Sequence, residues 1–424
     1  MLDLILSNRI VAVATLLGFL LAVIALIFSI YQNKKSKIEI GRLRNDNKKL
    51  QNDIQELKNN SQKNHKEIIG LLTQTPPKYA SENLKKEAKA ANEKNTNAKT
   101  EYDFFLKAYV AHIDRDYEAA IKYYNKAIEL EPNFAFAYSD MGLVYYAKKD
   151  YDKAIECYTK AILLNPNLGI TYSNLGLAYN DKQEYDNAIK YLQKAIELES
   201  NLAEVYYNIG LAYNGKQNYD KVIEYSEKAI KLNPDDSDTY NNIGLAYNGK
   251  KEFDKAIEYL QKAIKLNPNY TAAYTNLGIA YDGKQEYEKA MQYCDKAIEL
   301  EPNSIETLNI MGIIYEKKCD YDKAIEYYTR AIELKPDFVT AYNNIGIVYY
   351  DKKDYDKSIE FYKKAALLKP DWAAIYCNIG EVYIAKQEYI KAIEYCKKAI
   401  KLEPNLEEAY KNMKIAEERL NQNV

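Results

Sequence analysis

Within residues 237–270, Tyr240, Ile243, Gly244 and Tyr247 stand at i, i+3, i+4 and i+7, which puts them on one face of a helix. Gly249 and a charged turn follow, and then a second helical pattern turns Ala256, Ile257, Leu260, Ala263, Ile264 and Leu266 to its apolar side. Asn267-Pro268 stops that helix, because the residue before proline is pushed out of the α region. Gly244, Ala256 and Ala263 are small where two helix surfaces must approach, while Tyr240, Tyr247 and Phe253 fill the space left toward the next pair. One such pair alone would leave much of its apolar surface wet, so it needs neighbours.

The neighbours are in the chain. Glycine recurs at 142, 176, 210, 244, 278, 312, 346 and 380, always 34 residues apart. Proline recurs in the same period at 132, 166, 234, 268, 302, 336, 370 and 404, and Tyr or Phe at 117, 151, 185, 219, 253, 287, 321, 355 and 389. The unit resembles the tetratricopeptide repeat, a 34-residue helix–turn–helix motif with an aromatic early in its first helix, a Leu-Gly pair, Tyr, then Ala, an aromatic, Ala and Pro. Nine units match across 101–406, and 407–424 is expected to be a C-terminal capping helix. The resemblance implies an all-α, right-handed superhelical solenoid. Departures are local: Lys107-Ala108 replaces the Leu-Gly pair in the first unit, Ser200 replaces proline in the third, the fourth has Val222 and Ser226, and the seventh has Leu308 in place of tyrosine.

The same resemblance implies a concave groove lined by the first helices. At the sixth position of each unit it places Asn174, Asn208, Asn242, Asn276, Asn344 and Asn378, interrupted by Asp140 and Ile310. An amide both donates and accepts, so a row of them can hold peptide backbone whatever its sequence, or can satisfy neighbouring backbone instead. At the ninth position stand Leu177, Leu211, Leu245 and Ile279, an apolar ribbon beside the amides. Asp181, Glu204, Asp238, Asp282, Glu306, Glu316, Asp351 and Glu381 flank them, with Lys317 nearly alone on the basic side. Family co-chaperones grip acidic chaperone tails with a lysine–asparagine–arginine clamp. Here the second and fifth positions hold no lysine and the sixth no arginine, so neutral or basic partner segments are expected.

The first hundred residues differ in kind. Residues 1–9 read as a short tail, and 10–31 run 22 residues without a charge, about 33 Å of helix, which predicts a transmembrane anchor. Lys34, Lys35, Lys37, Arg42 and Arg44 follow it and predict cytoplasmic repeats. An a/d seam from Ile40 to Leu71 predicts a coiled coil over 38–72, with Asn47 at an a position favouring a parallel homodimer. Pro76-Pro77 ends it, and 73–100 read as a linker.

Charge sharpens the division. Residues 1–100 hold 17 Lys and Arg against 9 Asp and Glu, and the remainder 42 against 52. An acidic repeat array argues against a nucleic-acid partner. Five scattered cysteines without a C-x-x-C pair predict neither a disulfide framework nor a zinc site, and are expected to be small buried side chains. No metal or cofactor is expected. With two histidines and no glycine-rich phosphate loop, catalysis is not expected either. The sequence therefore reads as a membrane-anchored adaptor that binds partner segments, with a passive structural spacer, or a regulatory arm of an enzyme complex, as the competing readings.

Overall fold

The structure is a computed structural model that describes residues 100–198 and 202–422. The expected anchor at 10–31, coiled coil at 38–72 and nearly all of the linker lie outside the described residues. Among the described residues no helix is long and apolar enough to cross a membrane. The expected localisation as a single-pass membrane protein is corrected on that finding. The helices run 13 to 16 residues, short of the roughly 20 apolar residues a span requires.

Nineteen helices and no strand occupy the described residues, which fall into two units meeting between Asp235 and Asp236. The first unit holds α1 (Glu101–Ile113), α2 (Tyr117–Leu130), α3 (Ala135–Ala147), α4 (Tyr151–Leu164), α5 (Gly169–Asp181), α6 (Tyr185–Leu198), α7 (Ala203–Gly215) and α8 (Tyr219–Leu232). The second holds α9 (Ser237–Gly249), α10 (Phe253–Leu266), α11 (Thr271–Gly283), α12 (Tyr287–Leu300), α13 (Ile305–Lys317), α14 (Tyr321–Leu334), α15 (Val339–Asp351), α16 (Tyr355–Leu368), α17 (Ala373–Ala385), α18 (Tyr389–Leu402) and α19 (Glu407–Gln422). From α1 to α17 each odd-numbered helix packs on the even-numbered one after it, within a unit each hairpin packs on the next, and α19 packs back on α17 and α18.

The turn inside every hairpin has one construction. The α3 helix ends when the Lys149 N–H donates to the Tyr146 carbonyl and the Asp150 N–H to the Tyr145 carbonyl, both at 2.9 Å. Lys149 itself is left-handed at φ 60°, so the chain reverses there. Asp150 then caps α4 by accepting from the Lys153 N–H. Arg115, Gln183, Gln217, Lys251, Gln285, Cys319, Lys353 and Gln387 repeat the left-handed turn, none of them glycine. Cys319 is exposed in that turn, which corrects the expectation of uniformly buried cysteines; Cys157, Cys294, Cys377 and Cys396 are buried.

Between the two helices of a hairpin the predicted small residues allow close contact. A Cβ on Gly244 would lie 2.5 Å from Leu260 Cγ. Leu260, Ala256 and Ala263 are fully buried beneath it, and the leucine alone contributes about 2 kcal/mol. Leu266 differs from expectation. It is 39% exposed at the last turn of α10, where Leu334 and Leu402 are exposed in their own hairpins.

Two further regularities mark one flank of the hairpins. Tyrosines of the first helix stack on an aromatic of the second, as Tyr172 and Tyr179 do on Tyr191, with centroids 6.4 and 5.4 Å apart. Lysines lie over these rings, such as Lys255 over Tyr247 at 5.2 Å and Lys262 over Tyr259 at 4.9 Å. Successive hairpins are also joined by ion pairs, Lys182–Asp152, Lys284–Asp254, Lys318–Glu288, Lys352–Asp322 and Lys386–Asp356, at 2.5–2.7 Å. Their carboxylates are largely exposed, so each contributes at most about 1 kcal/mol.

Candidate partner-binding face

A helix turns about 100° per residue, so the sixth and ninth positions of a repeat lie on the side of the first helix turned away from the eighth-position glycine and the second helix it contacts. The structure gives the ninth-position residues Leu177, Leu211, Leu245 and Ile279 one common state, half-buried. They are neither core nor free surface.

The sixth-position asparagines divide. Asn208 and Asn242 are buried at 4% and 3% exposure, whereas Asn174, Asn276, Asn344 and Asn378 are half-buried. Three of the amides tie consecutive first helices together. Asn276 Nδ2 donates to Asn241 Oδ1 at 2.9 Å, Asn344 Nδ2 to Asn309 Oδ1 at 3.2 Å, and Asn378 Nδ2 to Asn343 Oδ1 at 3.1 Å. Each bond runs from the sixth position of one repeat to the fifth position of the repeat before it. In the other direction Asn180 Nδ2 donates to the Asn208 carbonyl, and Asn248 Nδ2 to the Asn276 carbonyl, both at 2.9 Å. Hydroxyl pairs serve the same purpose, Ser139 with Thr171 at 2.8 Å and Thr275 with Thr307 at 2.7 Å. Reading each position alone missed these links. The signal for them was the coincidence of Asn at position six with Asn at position five one period earlier.

Asp140 breaks the amide series in a consequential way. It is 2% exposed, its Oδ2 meets no donor among the described residues, and burial pushes its carboxyl well above the usual range. The neighbouring groups that feel its charge are the phenols of Tyr109, Tyr124 and Tyr158. The fifth position one repeat earlier is Phe105, which offers no polar atom. Burial at Asp140 therefore favours the neutral acid over the carboxylate.

The second unit carries the charge. Glu316, Asp351 and Glu381 each have their carboxyl raised, first of all by burial, and their mutual repulsion adds to it for Glu316 and Glu381. Tyr328 Oη donates to Glu316 at 2.8 Å and Tyr350 Oη to Glu381 at 3.3 Å. Two lysines partly offset this charge, Lys317 at Glu316 and Lys411 at Glu381, and Lys317 is itself ion-paired with Asp282 at 2.6 Å. The result is three carboxylates, Glu316 and Glu381 half-buried and Asp351 exposed, that form no ion pair with a lysine or arginine among the described residues.

Solved structures to which the chain is similar include MamA, 36% identical over 40% of this chain and 92% of its own, with a TM-score of 0.36. A chain of the APC/C hetero-tetramer Cut9–Hcn1 is 16% identical over 81% of this chain and 94% of its own, with a TM-score of 0.46. Yeast Tom70 is 16% identical over 76% of this chain and 96% of its own, with a TM-score of 0.43. No curated protein matches in sequence. Family models described as tetratricopeptide repeat match 135–168, 167–235, 237–270, 271–304, 305–338, 339–371 and 373–406, and one described as TPR repeat matches 116–149. With its helical hairpins, left-handed turns and glycine contacts in the same period as those matches, the chain belongs to the tetratricopeptide repeat family.

Proposed function

We propose that this chain is a non-catalytic adaptor whose first-helix face in the second unit receives an extended, basic or neutral segment of a partner protein. Repeats of this family mediate protein–protein interaction, and the observation that carries the finer reading is the trio Glu316, Asp351 and Glu381. Desolvated carboxylates without a paired cation gain most from a ligand that brings one. Asn276 and Asn378 use one amide N–H between repeats and offer a second N–H and an acceptor to partner backbone, whereas the Asn344 amide also bonds the Tyr328 phenol. Ile279 offers apolar contact beside them, as Leu245 does on α9; in the first unit Asn174, Asn208, Leu177 and Leu211 form the corresponding row without that acidic trio.

The test is a titration of the full chain with two labelled ten-residue glycine–serine peptides, one carrying three lysines and one three glutamates. The lysine peptide is expected to bind more tightly, and its advantage to shrink as salt rises from low to physiological concentration and beyond. Equal binding of both peptides, or a preference for glutamate, would sink the reading.

A further inference from the structure

The second repeat lacks a ring that its siblings have. At the twenty-third position stand Tyr123, Tyr191, Tyr225, Tyr259, Tyr293, Tyr327, Phe361 and Tyr395, but the second repeat has Cys157. In the siblings this ring lies against the first-helix tyrosine, with centroids 5.3–5.6 Å apart in Tyr281–Tyr293, Tyr315–Tyr327, Tyr349–Phe361 and Tyr247–Tyr259. Around Cys157 the space is instead an open pocket of about 610 Å³, lined by Tyr138, Met141, Tyr145, Lys160 and Leu163 among others.

Two neighbours bear on this space, one kept and one changed. In the fourth, fifth, seventh and eighth repeats a cation at the twenty-sixth position lies over the ring that Cys157 replaces, as Lys228 does over Tyr225 at 4.4 Å and Lys364 over Phe361 at 4.6 Å. Lys160 holds that position here, and among the described residues it has no ring beneath it. At the twenty-ninth position most repeats carry Glu or Lys, whereas Leu163 is 72% exposed at the rim of the pocket. Leu367 shares that apolar character, but there Phe361 fills the seat. Cys157 itself is 7% exposed, and burial pushes its thiol up to about 12, so it lines the pocket as a small apolar group and not as a nucleophile.

We propose that the pocket is a docking seat for one aromatic side chain of a partner protein, which completes the stack on Tyr145 that the siblings complete for themselves. Tyr145 provides the ring face, Lys160 the cation above it, and Leu163 apolar contact for the residue beside the inserted ring. Occupation by a protein segment rather than a free small aromatic is argued from Leu163, an exposed apolar side chain on the pocket lining where most siblings carry Glu or Lys.

The full chain is titrated with a five-residue glycine–serine peptide bearing one central tyrosine, with its leucine counterpart, and with phenol, by saturation-transfer NMR. The tyrosine peptide is expected to bind more tightly than the other two. Cys157→Tyr supplies the sibling's own ring and is expected to weaken the tyrosine peptide about tenfold. Cys157→Ala leaves the seat open and is expected to keep the binding, while Leu163→Glu restores the siblings' charge at the rim and is expected to weaken it. No binding to the native chain, or equal binding to native and Cys157→Tyr, overturns the seat. Phenol binding as tightly as the peptide would assign the pocket to small molecules and overturn the partner. If Cys157→Tyr does not fold, Leu163→Glu decides: unchanged peptide affinity overturns the proposal.

Discussion

Asp140 occupies a position where siblings have asparagine, and the single exchange of an amide for a carboxyl couples the fold to pH. Its folded pKa is raised by burial, while the unfolded group titrates near about 4. Below that pH both states hold the proton and the side chain makes no difference. As pH rises, the unfolded chain releases the proton and the folded chain keeps it, so stability falls until the buried carboxyl itself ionises. Asp140→Asn is therefore expected to raise stability at pH 7 by on the order of 1–3 kcal/mol and to change it little near pH 4. Thermal melts at the two pH values check this, and an equal shift at both would remove the ionisation argument. The sequence marked Asp140 as an interruption; that it is buried depends on Phe105 and three tyrosines on other helices, which no local pattern discloses.

At the scale of the element, the helical hairpin was legible because its period is enforced by contacts that only small residues permit. Gly176 shows how tightly. A Cβ there would meet Leu192 Cγ at 2.5 Å and the Ala188 carbonyl at 3.1 Å, and a carbonyl of the helix backbone cannot swing aside. Gly176→Ala is expected to destabilise the fold by about 1–3 kcal/mol through overpacking, read as a lower melting temperature at unchanged helix content. A neutral result would mean that α5 and α6 can slide apart. The turn was less legible. The sequence located it only as Gly249 and a charged turn, whereas none of the described glycines has a positive φ and the reversal falls on Lys, Gln, Arg and Cys two residues past the helix end. Gly215 and Gly283 serve packing instead, since the rings of Tyr185 and Phe253 from the preceding repeat sit where a Cβ would project. Glycine at these helix ends thus answers to a neighbour's side chain, not to backbone conformation.

Across the whole molecule, function depends on what successive repeats bring to one face, and that is where single positions inform least. The asparagines were visible as a row, but their burial and their bonds to the preceding repeat show that part of each amide is already committed. The acidic side chains were visible as well, though not the partial burial of Glu316 and Glu381 against Tyr328 and Tyr350. Glu316, Asp351 and Glu381 have raised pKa values, so by the same sign argument they lower stability as pH climbs above the unfolded range near about 4. Groups that destabilise the free protein and attract a cation are what a binding site for basic segments requires. The most direct measurement takes the triple variant Glu316→Gln, Asp351→Asn, Glu381→Gln and records, at pH 7, both its melting temperature and its affinity for the three-lysine peptide. The account expects the melting temperature to hold or rise while affinity falls about tenfold, from three charges worth about 0.5 kcal/mol each. Unchanged affinity would contradict it, whatever the melting temperature did.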